Sequence, residues 1–257
     1  MKKEENKKSQ VSVFVIFAII IVAAIGVGYF INKNVSENKY DNKYFESAEV
    51  KPQFEDFIKQ IDDCYDEISL DSLYLIGLQG GYYKQPKESI DFGLFFVPNY
   101  YKEGVSLMPE KSNIENELAL YVKDNAGYCF KKIKNDGNFE LNYKNPEVSV
   151  QINKEDVKFD ISVSLNIKKG TSSIVYDFEK SQIIKSKLSD IYDLAKYITD
   201  NNLKDPNKFC ISCVADEAEK RDIYVMSTKT GDKIVLTTIV DNSTDYQYEY
   251  NFASKYK

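Results

Sequence analysis

From Val11 to Ile31 the chain runs twenty-one residues without a charge or a proline, directly behind a lysine-rich head. At about 1.5 Å rise per residue, a helix over this run reaches roughly 30 Å, the thickness of a bilayer's hydrocarbon core. The run is expected to be a transmembrane helix, with the lipid bilayer as its partner through residues 11–31. The rest of the chain must then fold as a body held at a membrane surface. The head, residues 1–10, carries Lys2, Lys3, Lys7 and Lys8 against Glu4 and Glu5, whereas the first dozen residues beyond the run offer Lys33, Lys39 and Lys43. The side denser in lysine stays in the cytoplasm. The expectation is a single-pass signal-anchor protein of the cell membrane, with its N-terminus cytoplasmic and its C-terminal domain outside. A cleaved secretory signal fits less well, because its apolar region should span about 7 to 15 residues and end at a small-x-small site. Here Ala23-Ala24 lies in mid-run.

Composition removes whole classes of function. The net charge of −6 becomes more negative once the basic head is set aside, and an acidic surface repels phosphate backbones, so nucleic acid is not an expected partner. Histidine is absent. That removes the commonest general base, the usual zinc ligand and the Ser-His and Cys-His nucleophile pairs together. Tryptophan is also absent, against twenty tyrosines, and Arg221 is the one arginine.

Residues 32–51 are polar and aperiodic and read as a tether. Residues 52–257 read as one extracytoplasmic domain starting at Pro52. Phe54, Phe57, Ile58, Ile61, Tyr65 and Ile68 recur at three- and four-residue steps, an amphipathic helix that Gly80-Gly81 ends. Residues 82–109 read as an irregular aromatic loop broken by Pro86, Pro98 and Pro109. Ile114, Leu118, Tyr121 and Val122 mark a second helix ending near Gly127. The period then switches to two: Val148 to Ile152, Val157 to Ile167 and Ile174 to Phe178 alternate with polar residues, an antiparallel meander with one wet face. Leu188, Ile191, Tyr192, Ala195 and Ile198 return to the helical period, Asp205-Pro206 precedes a shorter helix, and three strands close the chain. The fold class is α+β, antiparallel sheet with packed helices behind the N-terminal transmembrane helix.

Four cysteines, Cys64, Cys129, Cys210 and Cys213, form an even set in a domain assigned outside the cytoplasm, where disulfides persist. Three pairings are possible. Cys64 lies on the apolar face of the first helix and Cys129 just follows the second, so this pair is the expected structural bridge, worth on the order of 4 kcal/mol in the chain-entropy treatment. Cys210-Ile211-Ser212-Cys213 at a helix start would lower the pKa of its first thiol. A thioredoxin-like enzyme would present that motif after a buried strand, whereas here a helix precedes it. A local disulfide stapling the helix end is therefore expected, with redox activity as the competing function.

Other constellations read as surface or fold. Asp62, Asp63, Asp66 and Glu67 fall on the solvent side of the first helix. Asp241-Asn242-Ser243-Thr244-Asp245 has calcium-like oxygen spacing but lacks the glycine and distal glutamate of an EF-hand loop, and a hairpin turn explains it better. The sequons at Asn34 and Asn242 are candidate glycosylation sites. In the string from Leu75 to Tyr83, the double glycine permits close backbone approach and the tyrosines offer a stacking shelf.

The N-terminal string Lys7-Lys8-Ser9-Gln10-Val11-Ser12-Val13-Phe14 resembles the processing site of archaeal class III signal peptides, found on pilin-like proteins, which implies cleavage before Gln10. That family places a glutamate where Phe14 stands, to neutralise a neighbouring subunit's buried amine. Its absence here argues against filament assembly. Over nearly the whole chain, the head and run, Gly80-Gly81-Tyr82, Met108-Pro109, and Asp205-Pro206 leading into Cys210 and Cys213 resemble uncharacterised single-span surface proteins of small-genome archaea. The resemblance implies an envelope location and carries no catalytic residue.

The sequence thus points to a non-enzymatic, membrane-anchored binding or scaffolding protein of the cell envelope, with no cofactor and no metal. Its expected contact surface is Tyr82, Tyr83, Phe95, Phe96, Tyr100 and Tyr101, and its expected partner an envelope protein or glycan. The alternatives are a pilin-like surface subunit and an extracytoplasmic thiol-disulfide oxidoreductase using Cys210 and Cys213.

Overall fold

The structure is a computed structural model that describes residues 51–133, 139–206, 208–231, 233–243 and 247–257. The head, the apolar run 11–31, nearly all of the tether, the class III-like string and Asn34 lie outside the described residues. No helix among the described residues is long and apolar enough to cross a membrane.

Helix α1, Lys51–Leu78, forms because its apolar residues repeat at helical steps and Pro52 falls in the first turn, where its missing N–H has no partner to lose. Ile61, Tyr65, Ile68, Leu73 and Ile76 are buried along one face. The helix ends as the double glycine predicts. Gly80 and Gly81 take φ of 53° and 83°, and the Gly81 N–H reaches back to the Ile76 carbonyl at 2.7 Å, satisfying a helix-end acceptor.

Two sheets flank α1. The first to be completed in the chain is antiparallel: β6 (Asp156–Lys169) pairs along one edge with β4 (Glu140–Tyr143) and β5 (Glu147–Ile152), and along the other with β7 (Ser172–Lys185). The alternation in β6 is realised fully, since Val157, Phe159, Ile161, Val163, Leu165 and Ile167 are all buried. Helix α1 lies on that face: Phe54 meets Tyr176 edge-on at 5.7 Å, and Tyr65 stacks on Phe178 at 5.5 Å. Helix α2, Lys111–Lys132, packs beside α1 through Ile114, Leu118, Val122 and Cys129 and runs five residues beyond the expected end at Gly127.

The second sheet has six strands in the order β1-β2-β10-β9-β8, with β3 also on β2. Its members are β1 (Ser89–Asp91), β2 (Phe96–Lys102), β3 (Val105–Ser106), β8 (Tyr224–Thr230), β9 (Ile234–Asp241) and β10 (Tyr248–Lys255). The β2–β10 pair is parallel, so this sheet is mixed where a purely antiparallel one was expected. Helices α3 (Leu188–Lys204) and α4 (Ile211–Glu219) complete a chain of four described helices and ten described strands. Asn202 on α3 donates to the Ser254 hydroxyl of β10 and accepts from Tyr256, fixing α3 to this sheet.

The segment 82–109, expected to be an irregular loop, instead contains three strands. Pro98 hid β2, because proline is excluded from central strands unless its nitrogen needs no partner. That condition holds here. The Asn99 N–H turns toward β1 and donates to the Glu88 carbonyl at 2.8 Å, so the Pro98 nitrogen faces the β10 side, and the ladder to β10 begins only at Asn99.

Candidate functional site

The six aromatic residues expected to form a contact surface divide sharply. Phe96, Tyr100 and Tyr101 are buried and belong to the core. They are strand residues: Tyr100 stacks on Phe252 at 4.7 Å, and Tyr101 lies 5.5 Å from the Tyr256 ring. Tyr82 and Tyr83 are half-buried, because the segment after α1 folds back over α2. The Glu117 carboxylate accepts the Tyr83 and Lys84 N–H groups at 2.8 and 2.9 Å, and the Tyr83 ring meets Tyr121 edge-on at 5.2 Å. Phe95 alone of the six is exposed.

Phe95 belongs to a group that sequence reasoning did not assemble. The β1–β2 hairpin turns on Gly93-Leu94, closed by the Phe92 N–H to the Phe95 carbonyl at 2.9 Å. Gly93 takes φ of 87° at the first turn position, where a side chain would be strained, and the Asp91 carboxylate accepts its N–H at 2.7 Å. The turn sets Leu94 97% exposed at the tip, with Phe92 and Phe95 stacked at 5.2 Å behind it. A Cβ added at Gly93 would meet nothing within 4 Å, so the space beside the turn is open. Three large apolar side chains are thus exposed together at a turn that needs none of them to form. The signal was present in the sequence as Phe92-Gly93-Leu94-Phe95, an apolar string around a hairpin glycine.

Beneath this hairpin the tyrosines are structural. Tyr250 donates to the Tyr100 oxygen at 2.6 Å, and Tyr100 in turn donates to the Gly80 carbonyl at 2.8 Å. Burial pushes both phenols well above their ordinary pKa, so they stay neutral and serve as hydrogen-bonding struts rather than as bases. Close packing here is extreme. A Cβ on Gly81 would lie 2.8 Å from the Tyr250 hydroxyl, and one on Gly80 would lie 2.3 Å from the Asn251 carbonyl. The Gly80-Gly81 string therefore seats the end of α1 against β10.

Both disulfides form, Cys64–Cys129 and Cys210–Cys213. The first joins α1 to α2 in the core, with both cysteines buried. The second closes the first turn of α4. Cys210 is the helix N-cap, and its sulfur accepts the Cys213 N–H at 3.3 Å, the bond a capping oxygen would normally take. Both cysteines are half-exposed, and Ile211 and Ser212 between them are exposed. Beyond this turn a cleft of about 330 Å³ opens between α4 and β8, lined by Ala215, Ala218, Glu219, Ile223 and Tyr224 among others.

The acidic cluster is not wholly solvated, as its sequence position suggested. Asp63 and Glu67 are exposed, but Asp62 and Asp66 are half-buried against β7, where Lys180 reaches their carboxylates at 2.8 and 2.9 Å. The carboxylate oxygens of Asp62, Asp63 and Asp66 lie within 4.8 Å of one another, and the Lys180 ammonium already supplies the positive charge that the cluster would ask of a cation. Asn242 is exposed, and the Asp241 carboxylate accepts the Ser243 N–H at 2.8 Å, as in a turn. Thr244 and Asp245, which complete the sequon and the calcium-like spacing, lie outside the described residues.

Compared with known protein families, with curated proteins and with solved structures, the chain matches none, so its function rests on the geometry above.

Proposed function

We propose that this protein is a membrane-anchored binding domain of the cell envelope, displayed outside the cytoplasm, and that it engages an envelope protein or glycan through the tip of the β1–β2 hairpin. The observation that carries this reading is the exposed group Phe92, Leu94 and Phe95, gathered at a glycine turn with open space beside it. Aromatic and aliphatic groups of this kind are the anchors around which binding surfaces are built, and a turn already closed by its own hydrogen bonds has less entropy to lose on docking. Two disulfides support the location, because such bonds persist in oxidising compartments. The apolar run 11–31 supports the anchor.

The test places a photo-crosslinking side chain at position 94 of the full-length chain in intact cells, with external protease added to a parallel sample. A discrete cross-linked product from position 94, absent when the probe sits at Tyr224, together with protease removal of the domain, is the expected result. A domain that survives external protease would refute the location. Monomer alone after irradiation at position 94 would refute the hairpin as the contact surface.

A further inference from the structure

We infer that Cys210–Cys213 is an exchangeable disulfide that oxidises dithiols of peptides or proteins, on a fold unlike that of the thioredoxin-like enzymes. The inference rests on placement and access, and stands independently of the hairpin's role. Cys210 occupies the N-cap of the nine-residue helix α4, and Cys213 occupies the position whose N–H a capping group accepts. In the disulfide, the Cys210 sulfur already takes that N–H at 3.3 Å, with the Ser212 hydroxyl 3.8 Å away. Once the bond is broken, a Cys210 thiolate would keep the same N–H and gain the positive end of the aligned peptide dipoles. No acidic residue stands in the first turn of α4 to oppose that charge. In the segment before it, the nearby Asp205 carboxylate is paired with Lys208 at 3.7 Å. The reduced pair is thus stabilised relative to an ordinary dithiol, which makes its disulfide oxidising.

Access distinguishes this bridge from the other one. Ile211, between the two cysteines, is 74% exposed, whereas Cys64 and Cys129 are 5% and 0% exposed. The fold also has little use for the local bridge. Helix α4 is held by buried Val214 and Ala218, and by the Ile223 N–H on the Ala218 carbonyl at 3.2 Å.

The exchange balances as follows. A substrate thiolate attacks the Cys210 sulfur, the substrate–Cys210 bond forms, and Cys213 leaves as a thiolate that takes up a proton. The second substrate thiolate then attacks its partner sulfur in the mixed disulfide and expels the Cys210 thiolate, which the helix end holds. The substrate loses two electrons and two protons and becomes a disulfide, and the cysteine pair gains the two electrons. A second disulfide of higher potential returns the pair to its oxidised form by the same chemistry.

The test equilibrates the full-length protein, in detergent, with graded ratios of reduced to oxidised glutathione, followed by alkylation and mass mapping of all four cysteines. Cys210–Cys213 is expected to be half-reduced under conditions at least about tenfold more oxidising than those that open Cys64–Cys129. In the reduced protein, Cys210 alkylation should titrate below the ordinary thiol value of about 8.5. The full-length protein should also oxidise one equivalent of a model dithiol peptide, and the Cys210→Ser variant none. Co-reduction of the two bridges, or a Cys210 thiol that titrates at the ordinary value, would overturn the inference and leave the bridge a staple. Equal peptide oxidation by the Cys210→Ser variant would do so as well.

Discussion

Cys64–Cys129 and Cys210–Cys213 span almost the same distance, with Cα separations of 5.5 and 5.4 Å, but 65 residues separate the first pair and 3 the second. The first pair is buried between α1 and α2, next in sequence to Tyr65 and Phe130, whose rings meet edge-on at 6.2 Å. The second is half-exposed on a nine-residue helix at the margin of the mixed sheet. A bridge stabilises mainly by restricting the unfolded chain, and that restriction grows with the length of loop closed. The buried bridge is therefore structural by both burial and loop length, and the exposed one is neither shielded nor much needed.

The largest expected effect follows from this contrast. Replacing Cys64 and Cys129 together by alanine should lower the unfolding free energy by about 4 kcal/mol from chain entropy. That is much of what a domain has in reserve, and urea titration by circular dichroism measures it. A loss under about 1 kcal/mol would mean that the core packs equally well without the bridge and would erase the structural half of the contrast.

The next effect lies at the far end of α1 and tests how tightly that core closes. Gly81→Ala puts a methyl group 2.8 Å from the Tyr250 hydroxyl and 2.9 Å from Ile114, at a φ of 83°, and should cost about 2 to 3 kcal/mol through strain and overpacking together. Gly170→Ala, at φ of 60° with no neighbour within 4 Å, should cost only the backbone term of about 1 kcal/mol. The same region sets an alkaline limit. Burial raises the Tyr100 and Tyr250 pKa values above the ordinary phenol range. Their contribution to stability is therefore fully present below about pH 10, the unfolded value, and falls as pH rises from there toward the folded values. Melting temperatures measured from pH 8 to 11 should decline above pH 10, and more gently in Tyr250→Phe, which removes one of the two titrating groups.

What the sequence disclosed follows the same division. Helices α1 and α3 and the β5–β7 meander were legible because one period runs without interruption in each, as in β6 from Val157 to Ile167. The buried bridge was legible because Cys64 sits in the apolar period of α1. The candidate contact surface was only partly legible, since periodicity carries no information where an aromatic-rich strand contains a proline. Phe96, Tyr100 and Tyr101 read as a loop when they are the strand beside β10. The hairpin tip depends on a turn at Gly93 that joins β1 to β2, so the string Phe92-Gly93-Leu94-Phe95, though present in the sequence, reads as a tip only once β2 is recognised. The pairing of Lys180 with Asp62 and Asp66 spans more than a hundred residues and has no local signal.

The exposed bridge should weigh less than either change in the core. Replacing Cys210 and Cys213 by alanine opens a loop of a few residues, for about 2 kcal/mol of chain entropy, and removes one weak sulfur cap. The unfolding midpoint of the double variant, set beside that of the Cys64 and Cys129 variant, gives the ratio directly. Equal losses would show that α4 is a keystone of the mixed sheet.

The smallest effect concerns charge beside the buried bridge. Asp62, Asp63 and Asp66 flank Cys64 on α1, and Lys180, its side chain 9% exposed, pairs with two of them. Removing the cation in Lys180→Met keeps the apolar stem but leaves adjacent carboxylates repelling one another. The partners are 44% and 47% exposed, so water screens much of that repulsion, and the loss should be about 1 kcal/mol rather than the several expected of a dry ion pair. Because the penalty is repulsion between half-exposed groups, raising sodium chloride from 0.05 to about 0.5 M should recover part of it. Recovery by calcium at millimolar concentration, with sodium ineffective, would instead show that the three carboxylates bind a divalent cation once the lysine is gone. Lys180 would then be the residue that denies this site a metal.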